Sequence, residues 1–122
     1  PRYPSRRITL SHAGGFVPCA SHRLAIALSA DGRRSPAEIL EDLRSFYFGT
    51  AISGSPAALP SLLAFAKPGH VLFGSDWPYA PAPVIQYFTG SLDAYPGLDA
   101  AGHEAIDRRS AAALFPKLAA AS

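Results

Sequence analysis

The sequence predicts an α/β fold built on parallel strands. Three short β-rich runs, at 7–11, 45–52 and 71–75, are separated by segments with helical patterning. Strands separated by helices pair in parallel through right-handed crossovers. Each run exits into polar or glycine residues: His12-Ala13-Gly14-Gly15, Ser53-Gly54-Ser55 and Asp76-Trp77-Pro78. A chain of 122 residues with 48% apolar and 16% charged residues is too apolar for disorder, and long enough for a real core.

The elements follow in order. Pro1 and Pro4 exclude regular structure at the start. Arg7-Ile8-Thr9-Leu10-Ser11 reads as the first strand and stops at the Gly14-Gly15 turn. A helix starts near Phe16 or Val17, with Pro18 in its first turn, where proline is tolerated. Phe16, Ala20, Leu24 and Leu28 repeat every four residues and predict its apolar face, and Asp31-Gly32 ends it. Ser35-Pro36-Ala37-Glu38 is a capping-box start, with Ile39, Leu40 and Leu43 as the buried stripe. The second strand centres on Phe46-Tyr47-Phe48. Ser55-Pro56 opens a helix to about Ala66 that Pro60 is expected to kink. Lys67-Pro68-Gly69 breaks it before the third strand. After a proline-rich loop, one helix is expected from Val84 to Tyr95. Another, capped by Asp99, is expected to run to Phe115, with Pro116 ending it.

Composition removes several function classes. The net charge is +2 and the arginines lie in scattered pairs, without the aromatic-interleaved basic stripe of a nucleic-acid binder. No apolar run approaches the ~18 residues of a membrane span. The single cysteine, Cys19, cannot form an internal disulfide and points to a reducing, cytoplasmic compartment. On its predicted helix it reads as a small packed residue rather than a nucleophile. The chain contains no methionine and is expected to be a segment of a longer reading frame.

Two residues stand out chemically. His12 follows a strand, and Gly14-Gly15 is expected to clear a ligand's approach to the imidazole. It reads as a general acid/base, less readily a metal ligand, against the alternative of a histidine that fastens a loop. Asp76 places a carboxylate one residue beyond a strand, inside Gly-Ser-Asp-Trp-Pro. A metal or buried cation would offset its desolvation; an aspartate capping the next turn is the alternative. Both are expected at one mouth, because catalytic groups of α/β barrels sit at carboxyl strand ends. Trp77 and Tyr79 would line a pocket for a flat ligand or pack the loop. His22 and His103, on helices, and His70, at a strand start, read as structural or solvated. A nucleophile elbow, a dinucleotide fingerprint, a P-loop and a local zinc pair are all missing from the sequence.

Ser11-His12-Ala13-Gly14-Gly15, the Phe-Tyr-Phe strand leading to Ser-Gly-Ser-Pro, and Val71-Leu72-Phe73-Gly74-Ser75-Asp76-Trp77-Pro78 together resemble one family. This is the amidohydrolase-related metalloenzymes of the aminocarboxymuconate-semialdehyde decarboxylase type. The resemblance runs from about Ile8 to Leu118 and includes Arg108-Arg109-Ser110-Ala111 to Leu114-Phe115-Pro116. Lys67 to Asp76, with Tyr87-Phe88-Thr89-Gly90, is especially similar to members that decarboxylate small hydroxylated aromatic acids.

The resemblance implies that residues 1–122 are the C-terminal portion of a TIM (β/α)8 barrel, its last three strand–helix units. It implies one divalent metal, zinc or manganese, whose His-x-His pair and further histidine have no counterpart here and are expected upstream. Asp76 matches the carboxylate that binds the metal and moves protons, and His12 matches the acid/base histidine beside it. Gly49 stands where the family more often has aspartate, and Ser110 where asparagine is usual. The implied activity is decarboxylation of a small hydroxylated aromatic or related unsaturated carboxylic acid, by a homo-oligomer in the full-length form. The alternatives are a metal-dependent hydrolase of the same family, a non-catalytic half-barrel acting as an interaction module, and a small doubly wound binding domain. By itself the segment is expected to be inactive, metal-free and prone to self-association, because its sheet keeps two open edges.

Overall fold

In the computed structural model, which describes residues 6–119, three parallel strands form one sheet in the order β1-β2-β3. They are β1 (Thr9–Leu10), β2 (Tyr47–Gly49) and β3 (Val71–Leu72). Leu10 stands level with Phe48, and Phe48 with Val71, so all three strands end on one edge. The slanted bonds of a parallel ladder run from Tyr47 N–H to the Ile8 carbonyl (2.9 Å) and from Phe48 N–H to the His70 carbonyl (2.8 Å). Thr50 N–H donates to the Leu72 carbonyl at 2.9 Å. The irregular start expected around Pro1 and Pro4 lies outside the described residues.

The strands are shorter than the apolar runs that predict them. Ser45 belongs to the end of the preceding helix, where its N–H bonds the Glu41 and Asp42 carbonyls. Thr50 already starts a turn, its carbonyl accepting from Ser53 N–H at 3.0 Å. β-propensity therefore extends beyond the ladder on both sides of β2.

Helices cover one face of the sheet. Phe48 points into that layer, fully buried, with its ring edge-on to Phe65 at a centroid distance of 5.8 Å. Leu59, Leu62, Val71, Leu92 and Ile106 complete the core around it. Tyr47, one residue earlier, faces the other way, as pleat alternation requires. Its ring stacks flat on His70 at 4.3 Å.

α1 (Val17–Leu28) carries Pro18 in its first turn, as expected. Its buried face keeps only Ala20 of the predicted four-residue stripe, with Leu24 half-buried. Pro18, Ala20, Ser21 and Ala25 are buried, whereas Phe16 and Leu28 are each 59% exposed. Small residues on the inner face let α1 lie against α2 and α3, and the larger residues are left outside. Cys19 is exposed, not packed.

α2 (Pro36–Arg44) has the full capping box: Ser35 Oγ accepts from Glu38 N–H, and the Glu38 carboxylate accepts from Ser35 N–H at 2.7 Å. The Ser55 cap forms as predicted: Ser55 Oγ accepts from Ala58 N–H (3.0 Å) and the Ser55 carbonyl from Leu59 N–H (3.0 Å), and the regular ladder of α3 (Ala58–Phe65) sets in only after it because Pro60 has no N–H to give the Pro56 carbonyl. Pro60 falls in the first turn, where its missing N–H costs nothing and causes no kink.

α4 (Ala82–Asp93) begins after Pro81 and ends at Asp93. The single helix expected after Asp99 forms as one continuous run of α5 (Ala100–Glu104), a π-helical turn (Ala105–Arg109) and α6 (Ser110–Leu114), and α7 (Pro116–Ala119) follows it. The π turn has a structural partner: the Ile106 carbonyl accepts from Phe73 N–H at 2.9 Å, at the exit of β3. Pro116 ends α6 as expected and also opens α7.

Candidate functional site

The common carboxyl edge gathers three exits: Ser11–Phe16 after β1, Thr50–Ser55 after β2 and Phe73–Ala80 after β3. Their backbone is unusual. Four non-glycine residues have positive φ among the described residues: His12 (57°), Ala13 (56°), Ile52 (41°) and Asp76 (68°). All four lie in these exits. Left-handed backbone at a non-glycine residue costs roughly 1–3 kcal/mol and clusters at functional sites. Histidine and aspartate tolerate it better than most residues; β-branched isoleucine does not.

Gly14 explains how the first exit fits. Its φ is +74°, and a Cβ there would lie 2.7 Å from the Phe48 ring. The glycine thus lets the His12 turn rest on the core; its role is packing, not the clearing of a ligand's approach. Gly15 faces open space.

His12 Nδ1 lies 3.2 Å from the Ala51 carbonyl oxygen. A carbonyl only accepts, so this contact requires Nδ1–H and leaves Nε2 with the lone pair in the neutral ring. The same carbonyl accepts from Ser53 Oγ at 3.0 Å. The imidazole is thus fixed in tautomer on one side, with Nε2 free on the other. No hydrogen bond or ion pair with another described residue engages the Asp76 carboxylate. The Asp76 backbone carbonyl closes the next turn, accepting from Tyr79 N–H (2.9 Å) and Ala80 N–H (3.0 Å).

The two sequence-predicted groups therefore stand on one edge with β2 between them, and neither directly contacts the other through a hydrogen bond or ion pair. Trp77 (70% exposed) and Tyr79 (89% exposed) project from the third exit rather than packing it. The clefts lined by Leu28, Ile39 and Phe46 and by Leu63, Val71 and Ile106 include neither His12 nor Asp76. His22 is exposed on α1, His103 lies on α5, and His70 holds the Phe46 carbonyl through Nδ1 at 3.0 Å on the opposite edge. Among the described residues no three histidine, cysteine or acidic side chains cluster closely enough to hold a metal ion. The chemistry of His12 and Asp76, one nitrogen and one carboxylate without a partner among the described residues, suits part of such a site. No helix is long and apolar enough to cross a membrane among the described residues.

No protein-family model matches the chain. A 6-methylsalicylic acid decarboxylase of Penicillium expansum is 47% identical over 119 residues, which are 95% of this chain and 36% of that protein. The chain is similar to decarboxylases over nearly its whole length. A crystal structure of an amidohydrolase II superposes with a TM-score of 0.82 at 27% identity, over 93% of this chain and 36% of that one. That of 5-carboxyvanillate decarboxylase from Sphingomonas paucimobilis gives 0.72 at 25% identity, over 94% and 35%. The chain thus spans about a third of the length of the relatives it matches. The three parallel strands with flanking helices are a segment of their α/β barrel.

Sequence reasoning singles out His12 and Asp76 but misses what holds their loops. Thr50 is buried and its Oγ1 accepts from Gly74 N–H at 3.2 Å. A threonine at a strand end leaves no distinguishing mark in one sequence. Gly49 has room for a side chain: a Cβ there would meet its nearest neighbours, Leu10 and Thr9, at an ordinary 4.0 Å. Ser110 is buried as the first residue of α6.

Proposed function

We propose that residues 1–122 form the C-terminal three strand–helix units of a (β/α)8 barrel that decarboxylates a small hydroxylated aromatic acid, with His12 and Asp76 in its active-site mouth. The observation that carries this reading is their placement. An imidazole with its tautomer fixed and a carboxylate without a partner among the described residues leave the two outer exits of one parallel sheet, on the same edge and both in left-handed backbone. The 6-methylsalicylic acid decarboxylase and the 5-carboxyvanillate decarboxylase among the relatives fit the substrate class.

Asp76 and His12 are the residues here that would face a divalent metal, zinc or manganese, with Asp76 as a ligand and the other ligands contributed from outside this segment. When bound, the metal would supply Lewis-acid polarisation of the substrate's oxygens. The remaining work belongs to the side chains. A proton from Asp76 or His12 adds to the ring carbon that bears the carboxylate. The carbon–carboxylate bond then breaks, its electron pair restores the aromatic ring, and carbon dioxide leaves. His12 suits proton handling because Nδ1–H stays on the Ala51 carbonyl while Nε2 gains and loses the proton.

The test is carbon dioxide release from a panel of ortho-hydroxybenzoic acids by the complete barrel protein. Stoichiometric release with formation of the phenol is expected. Hydrolysis of an ester or amide panel without carbon dioxide release would favour the hydrolase reading instead.

A further inference from the structure

The middle strand contributes no group to the chemistry proposed above, yet both flanking loops are fastened to its exit. Ala51 gives its carbonyl to His12 Nδ1. The neighbouring residue, Thr50, reaches the opposite way. It is 3% exposed, and its Oγ1 accepts from Gly74 N–H at 3.2 Å, two residues before Asp76. The preceding donor, Phe73 N–H, is taken by the Ile106 carbonyl of the π turn at 2.9 Å. The β3 ladder has already ended at Leu72, so these two bonds replace it along the approach to Asp76. Gly74 brings the third exit against Ala51: a Cβ at Gly74 would meet the Ala51 Cβ and N at 3.3 Å.

We propose that Thr50 is a positioning residue for Asp76, coupling the Asp76 loop to the same two-residue unit that orients His12. This rests on the reading of Asp76 as a metal-binding active-site group. π turns recur at functional sites, and groups that orient metal ligands commonly set metal affinity by 10–100-fold. The Thr50 hydroxyl is the side chain that ties the Asp76 loop to the middle strand, because the Ile106 and Ala51 contributions are backbone carbonyls. A hydrophobic isostere leaves Gly74 N–H without its buried acceptor and frees the loop.

The experiment uses the complete barrel protein with Thr50→Val, Thr50→Ser and Asp76→Asn. It reads divalent-metal affinity by titration with zinc and manganese, and kcat and KM separately. Thr50→Val is expected to weaken metal affinity tenfold or more and to lower kcat by at least tenfold with KM within about threefold; Thr50→Ser is expected to restore both. If Thr50→Val does not fold, Gly74→Ala presses the third exit against Ala51, straining the same junction between the two exits, and is expected to weaken metal binding likewise. Thr50→Val, or Gly74→Ala in its place, with unchanged metal affinity and kcat overturns the inference if Asp76→Asn loses both, while the active-site reading stands. Asp76→Asn with unchanged affinity and kcat overturns the active-site reading itself, and this inference with it.

Discussion

His12 Nδ1 and the Ala51 carbonyl oxygen, 3.2 Å apart, tie the exit of the first strand to the exit of the second. One hydrogen bond sets which imidazole nitrogen faces the mouth. In the folded chain the neutral His12 ring is therefore the Nδ1–H tautomer, and 15N–1H correlation of the ring nitrogens should show Nε2 as the lone-pair nitrogen. Replacing His12 by Asn should lower kcat of the complete enzyme by about 10²–10⁴, the usual contribution of a general acid/base. A loss of less than threefold would make His12 only a loop fastener.

Asp76 has a φ of 68°, a conformation that asparagine shares more readily than alanine. Asp76→Asn and Asp76→Ala should therefore both lose activity but differ in stability. The Asn variant should unfold near the parent's denaturant midpoint. The Ala variant should lose roughly 1–2 kcal/mol to left-handed strain. Equal stability of the two would show that the turn relaxes without the side chain.

Phe48 joins the sheet to the helices, fully buried against Phe65 and under Gly14. Phe48→Ala should destabilise by about 3–5 kcal/mol in equilibrium unfolding. Gly14→Ala should also destabilise and should disturb the His12 ring signals, because its added methyl meets the Phe48 ring in a backbone region that disfavours alanine.

Acid should loosen the α2 region first. The hydrogen bonds from Ser35 N–H and Oγ hold the Glu38 carboxyl below its ordinary range, and the hydrogen bond from Lys67 does the same for Glu41. A carboxyl lowered on folding stabilises the native state above its unfolded pKa. That contribution is lost as pH falls through the folded value. Both side chains are at the surface, so the effect is modest and screened by salt. Thermal melts should fall more steeply below the ordinary carboxylate range than those of a Glu38→Gln, Glu41→Gln variant. Ser35→Ala should cost about 1 kcal/mol at neutral pH.

The parallel α/β order was legible because apolar runs, breakers and N-caps are local signals. Ser35-Pro36-Ala37-Glu38 reads directly as the capping box that forms. His12 and Asp76 were legible as ionisable groups just beyond greasy runs. Three things were not. The inner face of α1 is chosen by close approach of small residues, so of the predicted stripe Ala20 is buried while Phe16 and Leu28 stay outside. The π turn after α5 answers a carbonyl given to Phe73, a partner far away in sequence. The fastening of the mouth uses the Ala51 carbonyl and the Thr50 hydroxyl, and no backbone group identifies itself by residue type.

Carrying out the decarboxylation in D2O tests the central claim most directly. The complete protein should convert an ortho-hydroxybenzoic acid into a phenol with one deuterium on the carbon that bore the carboxylate. Asp76→Asn and His12→Asn should both slow that incorporation at least a hundredfold. Undiminished deuterium incorporation in both variants would contradict the account, as would the absence of carbon dioxide release from the whole class of acids.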